Sequence, residues 1–160
     1  MRPISGPPGF PALLRLRSVG NLVNLSTPAG LAVAALGRAR VRRLSGGLFL
    51  GEHYRLGFPR AGAFTIGNVI LTGGSWDDLE RRFPHLLAHE ERHTWQYLYC
   101  LGLPYLVLYS AAMGWSAIRT GDRSSANFFE RQANLGQGGY VELPTRPLIH
   151  GVLRLLRRPS

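Results

Sequence analysis

His89-Glu90-Glu91-Arg92-His93 is the stretch from which the fold and the chemistry of this chain are best approached. The flanking residues are mostly apolar and carry no helix breaker, so the segment is expected to be helical and buried. A spacing of four residues then places both imidazoles on one helix face, one turn apart, where both can bind one metal ion. Glu90 lies beside the first ligand and is suited to take a proton from a water molecule. A motif with only three fixed residues also occurs by chance. The alternative interpretation is therefore a charged helical turn with two ordinary surface histidines.

A third ligand is predicted downstream. Glu130 lies within a second predicted helix, about 126–135, among apolar and small residues. Ala133, one turn later, would allow that helix to approach the first one closely. His89, His93 and Glu130 would together form a three-ligand set that suits zinc. The alternative for Glu130 is an ordinary salt bridge to Arg131 or Arg92.

The longer pattern resembles a known family. His-Glu-x-x-His-Thr-x-Gln (89–96), Leu-Gly-x-Pro-Tyr (101–105) and Glu-x-x-Ala-Asn (130–134) are similar to small bacterial zincin-like proteins of the gluzincin type. The resemblance covers about residues 65–136. It implies Zn²⁺ held by His89, His93 and Glu130, with Glu90 as general base in the hydrolysis of a peptide or protein substrate. The charged pair Glu91 and Arg92 departs from the usual middle positions of the motif.

Three neighbouring residues are candidates for contact with the predicted metal ligands. His85, His89 and His93 share one helix face, but a straight helix cannot bring all three to one ion, so His85 is expected either beside the ligands or merely exposed. Gln96 and Asn134 are the other candidates for contact with the ligands. No residue for stabilising a transition state is evident, and Tyr140 and His150 qualify by residue type alone.

The predicted fold is one α+β domain spanning residues 1–160, a minimal zincin-like arrangement. A small antiparallel sheet of about three strands (48–50, 63–66 and 68–72) is expected to pack on four to five helices, with the His89–His93 helix in the centre. Residues 1–26, rich in proline and glycine, are expected to be largely irregular. A helix is predicted over 29–43. Residues 65–72 are expected to line the cleft as a strand that pairs with substrate.

Composition limits the partners. The 160 residues carry a net charge of +10, and every basic residue is arginine. The basic clusters lack interleaved aromatic residues, so no specific nucleic-acid binding is expected, and an anionic membrane surface is the alternative partner. These clusters are Arg38, Arg40, Arg42 and Arg43, and Arg154, Arg157 and Arg158. One cysteine, Cys100, and no signal-peptide pattern predict a cytoplasmic protein, peripheral membrane association remaining an alternative.

Residues 94–118 contain no charged residue. Gly102 and Pro104 interrupt this stretch, which therefore predicts either a buried core helix or a membrane-docked hairpin rather than a single span. Three functions are consistent with the sequence. They are a zinc-dependent peptidase, a non-catalytic module stabilised by zinc, and a basic envelope or nucleic-acid-associated protein in which the histidine motif is accidental.

Overall fold

The computed structural model describes residues 10–59 and 61–156, and these residues form an α+β fold. Within them lie seven helices, more than the four to five expected, and one sheet of four strands. The helices are α1 (Phe10–Val23), α2 (Ser26–Leu36), α3 (Trp76–Arg82), α4 (Leu86–Tyr99), α5 (Pro104–Arg119), α6 (Phe128–Gln132) and α7 (Leu148–Leu156). The strands are β1 (Arg40–Arg43), β2 (Phe49–Glu52), β3 (Ala63–Ile66) and β4 (Val69–Thr72).

The sheet is mixed, so the expectation of an antiparallel sheet is wrong for its central pair. The strand order is β1-β2-β4-β3, with antiparallel outer pairs and parallel pairing between β2 and β4. All four residues of β4 are buried, whereas β3 is mostly half-buried. Since a strand covered on both faces belongs in the middle of a sheet, β4 pairs with β2 and β3 is left at the edge.

Helices cover both faces of the central strands. Ile70 of β4 packs with Leu50, Trp76 and Leu86 on the side of α3 and α4. Val69 and Leu71 of the same strand point to the opposite face, where the core includes Ala34 of α2. The period of two along β4 therefore places α4 against one face of the sheet.

The helix predicted over 29–43 is shorter in the structure. It ends at Leu36, and Arg38 takes a left-handed backbone conformation with φ 53°. The amide groups of Arg38 and Ala39 donate to the carbonyl groups of Ala35 and Ala34, which is a common helix-ending motif. The arginines of 40–43 then form edge strand β1, where exposed charges protect an unpaired edge.

The expectation that residues 1–26 are irregular is wrong for α1. Arg17 is fully buried and donates to Glu91 Oε1 at 2.6 Å and to the carbonyl of Gly46 at 2.7 Å. Asn21, also fully buried, donates to Asn68 and to the carbonyl of Thr94. These long-range contacts stabilise a helix that local composition does not predict. Residues 1–9 of this predicted segment, and Arg157 and Arg158, lie outside the described residues.

The buried-core interpretation of residues 94–118 fails for much of α5. Tyr105 and Ser116 are buried, but Leu106, Val107 and Leu108 are exposed. Among the described residues, no single helix has the length and apolar character needed to cross a membrane. Two bent pairs pass the same test when taken together, α1 with α2 at 70° and α4 with α5 at 118°.

Candidate metal centre

Three potential metal ligands converge in the interior. His89 and His93 lie one turn apart on α4, and α6 brings Glu130 against them. His89 Nε2 is 3.1 Å from His93 Nε2 and 3.2 Å from Glu130 Oε2, while His93 Nε2 is 3.8 Å from Glu130 Oε1. The exposed fractions of the three residues are 1%, 6% and 1%. The residues can therefore hold a metal ion.

The separations match the size of a small divalent ion. Ligand distances of about 2.0–2.1 Å around a tetrahedral ion place neighbouring ligand atoms about 3.3 Å apart. Both contacts of His89 Nε2 lie close to this value, and the distance from His93 Nε2 to the other carboxylate oxygen, Oε1, exceeds it by about half an ångström. The cluster therefore needs little rearrangement to surround an ion.

The protonation of His89 is set by the backbone beyond α6. Its Nδ1 lies 3.1 Å from the carbonyl oxygens of both Ala133 and Asn134. A carbonyl oxygen can only accept, so Nδ1 carries the proton. In the neutral ring, the lone pair is then on Nε2, facing Glu130 and His93.

Gln96 sets the protonation of His93 in the same way. The Nε2 group of Gln96 donates to the carbonyl of Phe129 at 2.9 Å and to Gln132 Oε1 at 2.8 Å. The amide oxygen of Gln96 therefore faces His93 Nδ1 at 2.7 Å and accepts from it. Tyr105 donates to the same oxygen at 2.9 Å. As for His89, the Nε2 lone pair of neutral His93 points into the cluster.

Glu130 completes a set of acceptors. The Tyr109 hydroxyl donates to Oε1 of Glu130. Oε2 is buried and has no hydrogen-bond partner among the described residues, and the nearby Nε2 of His89 carries no proton while that ring is neutral. Two imidazole lone pairs and one carboxylate oxygen thus meet without a donor, and this arrangement suits a cation.

Proton affinities in the cluster follow from the same contacts. Burial by itself lowers the pKa of His89, but Glu130 and the charge of Glu90 outweigh burial, and the pKa is raised. Burial by itself raises the pKa of Glu130, but His89, His93 and Tyr109 outweigh it, and the pKa is lowered. Burial raises the pKa of Tyr109, so its hydroxyl stays protonated and remains a donor.

Glu90 lies next to the ligands and is itself 4% exposed. Its Oε2 accepts a hydrogen bond from Thr65 Oγ1 of edge strand β3 at 2.6 Å. Among the described residues, Thr65 is the one hydrogen-bond donor to this carboxylate. The second carboxylate oxygen of Glu90 therefore remains free to accept a hydrogen bond from another donor.

The segment after α6 covers the cluster. A Cβ atom at Gly138 would lie 2.8 Å from His89 Nε2 and 2.8 Å from the Tyr140 ring, so only glycine fits this close approach. The ring of Tyr140 lies 6.0 Å from that of His89, and burial raises the pKa of its hydroxyl. Tyr140 is thus a protonated phenol beside the candidate site.

The structure brings most of the sequence-predicted residues together, with two differences. His85 is exposed and precedes α4, because the chain turns at Phe83 and Pro84 before the helix begins. Asn134 contacts His89 through its backbone carbonyl rather than its side chain. His150 is exposed on α7.

The alternative prediction for Glu130, a salt bridge to Arg131 or Arg92, is wrong. Arg131 pairs with Glu142 at 2.9 Å, and Arg92 donates to the Ala133 carbonyl. Glu130 instead faces the two histidines.

Sequence reasoning placed residues 65–72 at the cleft and quoted Tyr105 in a motif, but it assigned no contact at the site to Thr65, Tyr105, Tyr109 or Gly138. Tyr105 ends the Leu-Gly-x-Pro-Tyr stretch and shares a face of α5 with Tyr109, four residues later, but neither the motif nor the spacing indicates which side chain they contact. Thr65 and Gly138 reach the site through long-range packing.

Comparisons with protein-family models, with curated proteins and with solved structures find no match for this chain.

Proposed function

We propose that this protein is a zinc-dependent metallopeptidase of the zincin type, which hydrolyses peptide bonds in a peptide or protein substrate. The observation that carries the proposal is the meeting of three proton-free acceptors, His89 Nε2, His93 Nε2 and Glu130 Oε2, in a buried cluster beside the carboxylate of Glu90. The donor set fits zinc, since two imidazoles and one carboxylate are a common catalytic combination for this ion.

His89, His93 and Glu130 would hold the metal, leaving a fourth coordination position for water or substrate. Zinc in such a site lowers the pKa of water to about 7 and polarises a carbonyl group. Gln96 and the carbonyls of Ala133 and Asn134 hold the imidazoles in the tautomer that the ion requires.

Glu90 is assigned as general base. Thr65 holds one of its carboxylate oxygens, and the other is free to take a proton from water and later return it to the leaving amine. Tyr140, whose hydroxyl stays protonated, is the nearest candidate to donate a hydrogen bond to the developing oxyanion.

Edge strand β3 supports an extended substrate. It pairs with β4 on one side only within the described sheet, and its Thr65 contacts the proposed base. A peptide added to this edge by main-chain hydrogen bonds would run beside Glu90. The placement of α4 along the sheet, with Glu130 on a later helix, supports a zincin-like core over residues 65–136.

A second function is favoured by one observation, the burial of all three ligands. Structural zinc sites are closed, whereas catalytic sites keep one position accessible. A non-catalytic module stabilised by zinc would use the same ligands and leave Glu90 without a chemical role.

The first experiment measures the metal content of the purified protein and of two variants, His89→Ala and Glu130→Ala. We expect about one zinc ion per chain, lost in both variants. Zinc lost in His89→Ala alone would remove Glu130 from the ligand set. No zinc after reconstitution would refute both the catalytic and the structural proposals.

Glu90→Gln separates the two functions. The amide keeps the size of the side chain and the contact with Thr65, so zinc content is expected to be unchanged. Hydrolysis of a peptide library is expected to fall by a factor of about 10²–10⁴, the usual contribution of a general base. Full activity in Glu90→Gln would refute the assigned base, and no activity in the parent protein would favour the structural function.

A further inference from the structure

We propose that an apolar tip formed by two helix bends docks into the headgroup region of a bilayer that contains anionic lipids. The apolar tip consists of Leu22, Val23, Leu25, Tyr99, Leu101 and Leu103. This inference is independent of the metal centre and of the proposed peptidase activity.

The two bends lie side by side. The chain turns between α1 and α2 at Asn24 and Leu25, and between α4 and α5 at 100–103. The Asn24 side chain donates to the carbonyl of Tyr97 at 3.4 Å, and a Cβ atom at Gly102 would lie 2.6 Å from the Asn24 carbonyl oxygen. The ends of four helices therefore meet at one end of the molecule.

The residues at this end are large, apolar and open to solvent. Leu101 is 78% exposed, Val23 74%, Tyr99 65% and Leu25 62%. Single exposed apolar residues are ordinary, but a contiguous group of this kind marks an interaction surface. Trp95 stacks on Tyr99 with ring centroids 6.1 Å apart, which places a second amphipathic ring behind the tip.

Leu25 and Leu101 occupy backbone positions at which other residue types would be less strained. Both have left-handed backbone conformations, with φ of 65° and 59°. Glycine or asparagine adopts this conformation with less strain than leucine. Exposed leucine at both bends therefore benefits neither the turn nor the core, and its apolar side chain is available for a partner.

Charge determines the kind of partner. No charged residue occurs in 18–37 or 94–118, the stretches that contain the bends. Exposed Asp77, Asp78 and Glu80 lie in α3, which adjoins the opposite end of α4. A 14-residue helix is about 21 Å long, so these carboxylates are far from the tip.

One exposed basic residue is suitably placed behind the apolar surface. Arg15 is exposed on α1, eight residues before Val23 and hence about 12 Å from the tip along the helix. Insertion of the tip by 5–10 Å, the usual depth for an interfacial segment, would bring this guanidinium to the lipid phosphates. The net charge of +10 favours an anionic surface and opposes close approach of a second copy.

The test uses the full chain and vesicles of phosphatidylcholine alone or mixed with phosphatidylglycerol. The parent protein is expected to co-sediment with the mixed vesicles, less so as salt is added, and to bind pure phosphatidylcholine more weakly. Its tryptophan emission should shift to shorter wavelength on binding, since Trp95 lies behind the tip.

The decisive variant is the double substitution Leu25→Asn with Leu101→Asn. Asparagine tolerates the left-handed conformation, so the fold is retained, which circular dichroism can check. Affinity for the mixed vesicles is expected to fall about tenfold for each leucine removed. Val141→Asn is the matched control, because Val141 is 77% exposed but bonds to Ser125 near the far end of α5.

Three results would overturn the proposal. They are the absence of binding to mixed vesicles by the parent protein, equal binding by the double variant, and an equal loss of binding in Val141→Asn. A dimer of the parent protein that becomes monomeric in the double variant, without vesicle binding, would assign the tip to a second copy instead.

Discussion

Gln96→Leu tests whether a residue outside the proposed ligand set controls metal binding by His93. In the parent protein, Gln96 Oε1 accepts from His93 Nδ1 at 2.7 Å, which leaves the Nε2 lone pair free. In the variant, the remaining partner of Nδ1 is the Tyr105 hydroxyl, 3.1 Å away. A hydroxyl can donate, so the ring proton can move to Nε2, where it faces the cluster and opposes metal binding.

The expected magnitude follows from these contacts. Loss of such a supporting partner usually weakens metal binding 10- to 100-fold, about 1.4–2.7 kcal/mol. The free energy of unfolding without metal should also fall by about 0.5–1.5 kcal/mol, because the Phe129 carbonyl loses the Gln96 donor at 2.9 Å but keeps the amide of Ala133. Zinc titration against a chromophoric chelator measures the first effect, and urea unfolding in excess chelator measures the second.

Gln132→Ala is the control for this experiment. It removes one acceptor from Gln96 but leaves the Phe129 carbonyl, so the orientation of the Gln96 amide and the tautomer of His93 are kept. Its zinc affinity should stay within about twofold of the parent value, since one hydrogen bond to the exposed residue Gln132 contributes little. Equal zinc affinity in Gln96→Leu and Gln132→Ala would refute the assignment of Gln96 as the residue that fixes His93.

Three further outcomes are expected. Gly138→Ala should lower zinc affinity at least about tenfold because its Cβ would lie 2.8 Å from His89 Nε2, whereas Gly136→Ala, with 3.7 Å to its nearest neighbour, should not. Tyr140→Phe should retain zinc but reduce kcat of peptide hydrolysis about tenfold or more, and an unchanged kcat would remove Tyr140 from the reaction. Because the pKa of His89 is raised in the folded chain, its protonation stabilises the chelator-treated protein below the ordinary value of 6.5, and this contribution is lost as pH rises through the raised pKa. Tm in chelator should therefore fall over that interval while zinc affinity rises, and a pH-independent zinc affinity would contradict this.

Local rules predicted the elements whose ends are determined by nearby residues. Ser75 accepts from the amide of Asp78 at the start of α3, and Pro104 opens α5, and both residue types commonly begin a helix. Strand β3 occupies 63–66 as expected. Local rules failed at Arg40–Arg43 and in α1, where partners distant in sequence decide the structure. The parallel pairing of β2 with β4 also depends on which strand is covered on both faces, a property of the whole fold.

The residues of the candidate site also divide into those that local rules predict and those that depend on packing between distant segments. His89 and His93 follow from helical periodicity, and Gln96, three residues after His93, is on the same face. Glu130 could be proposed because one acidic residue occurs among apolar neighbours in a later helix. Tyr109, which bonds to Glu130, and Gly138, which lies against His89, depend on how α5 and the 136–139 segment pack. No spacing rule connects these residues to the motif.

The electrostatics of Glu130 support the proposal that the cluster binds a metal ion. A carboxylate that is 1% exposed is costly to bury without a compensating charge. Tyr109 satisfies Oε1, which also lies 3.8 Å from His93 Nε2, whereas Oε2 faces the lone pair of His89 at 3.2 Å. The other nitrogen of each imidazole is already held by an acceptor. A proton on His89 Nε2 can form a hydrogen bond with Glu130 or with His93, and the other acceptor is then left without a donor. A divalent cation contacts all three atoms at once, so the arrangement of proton-free acceptors is satisfied completely by a metal and only in part by protonation.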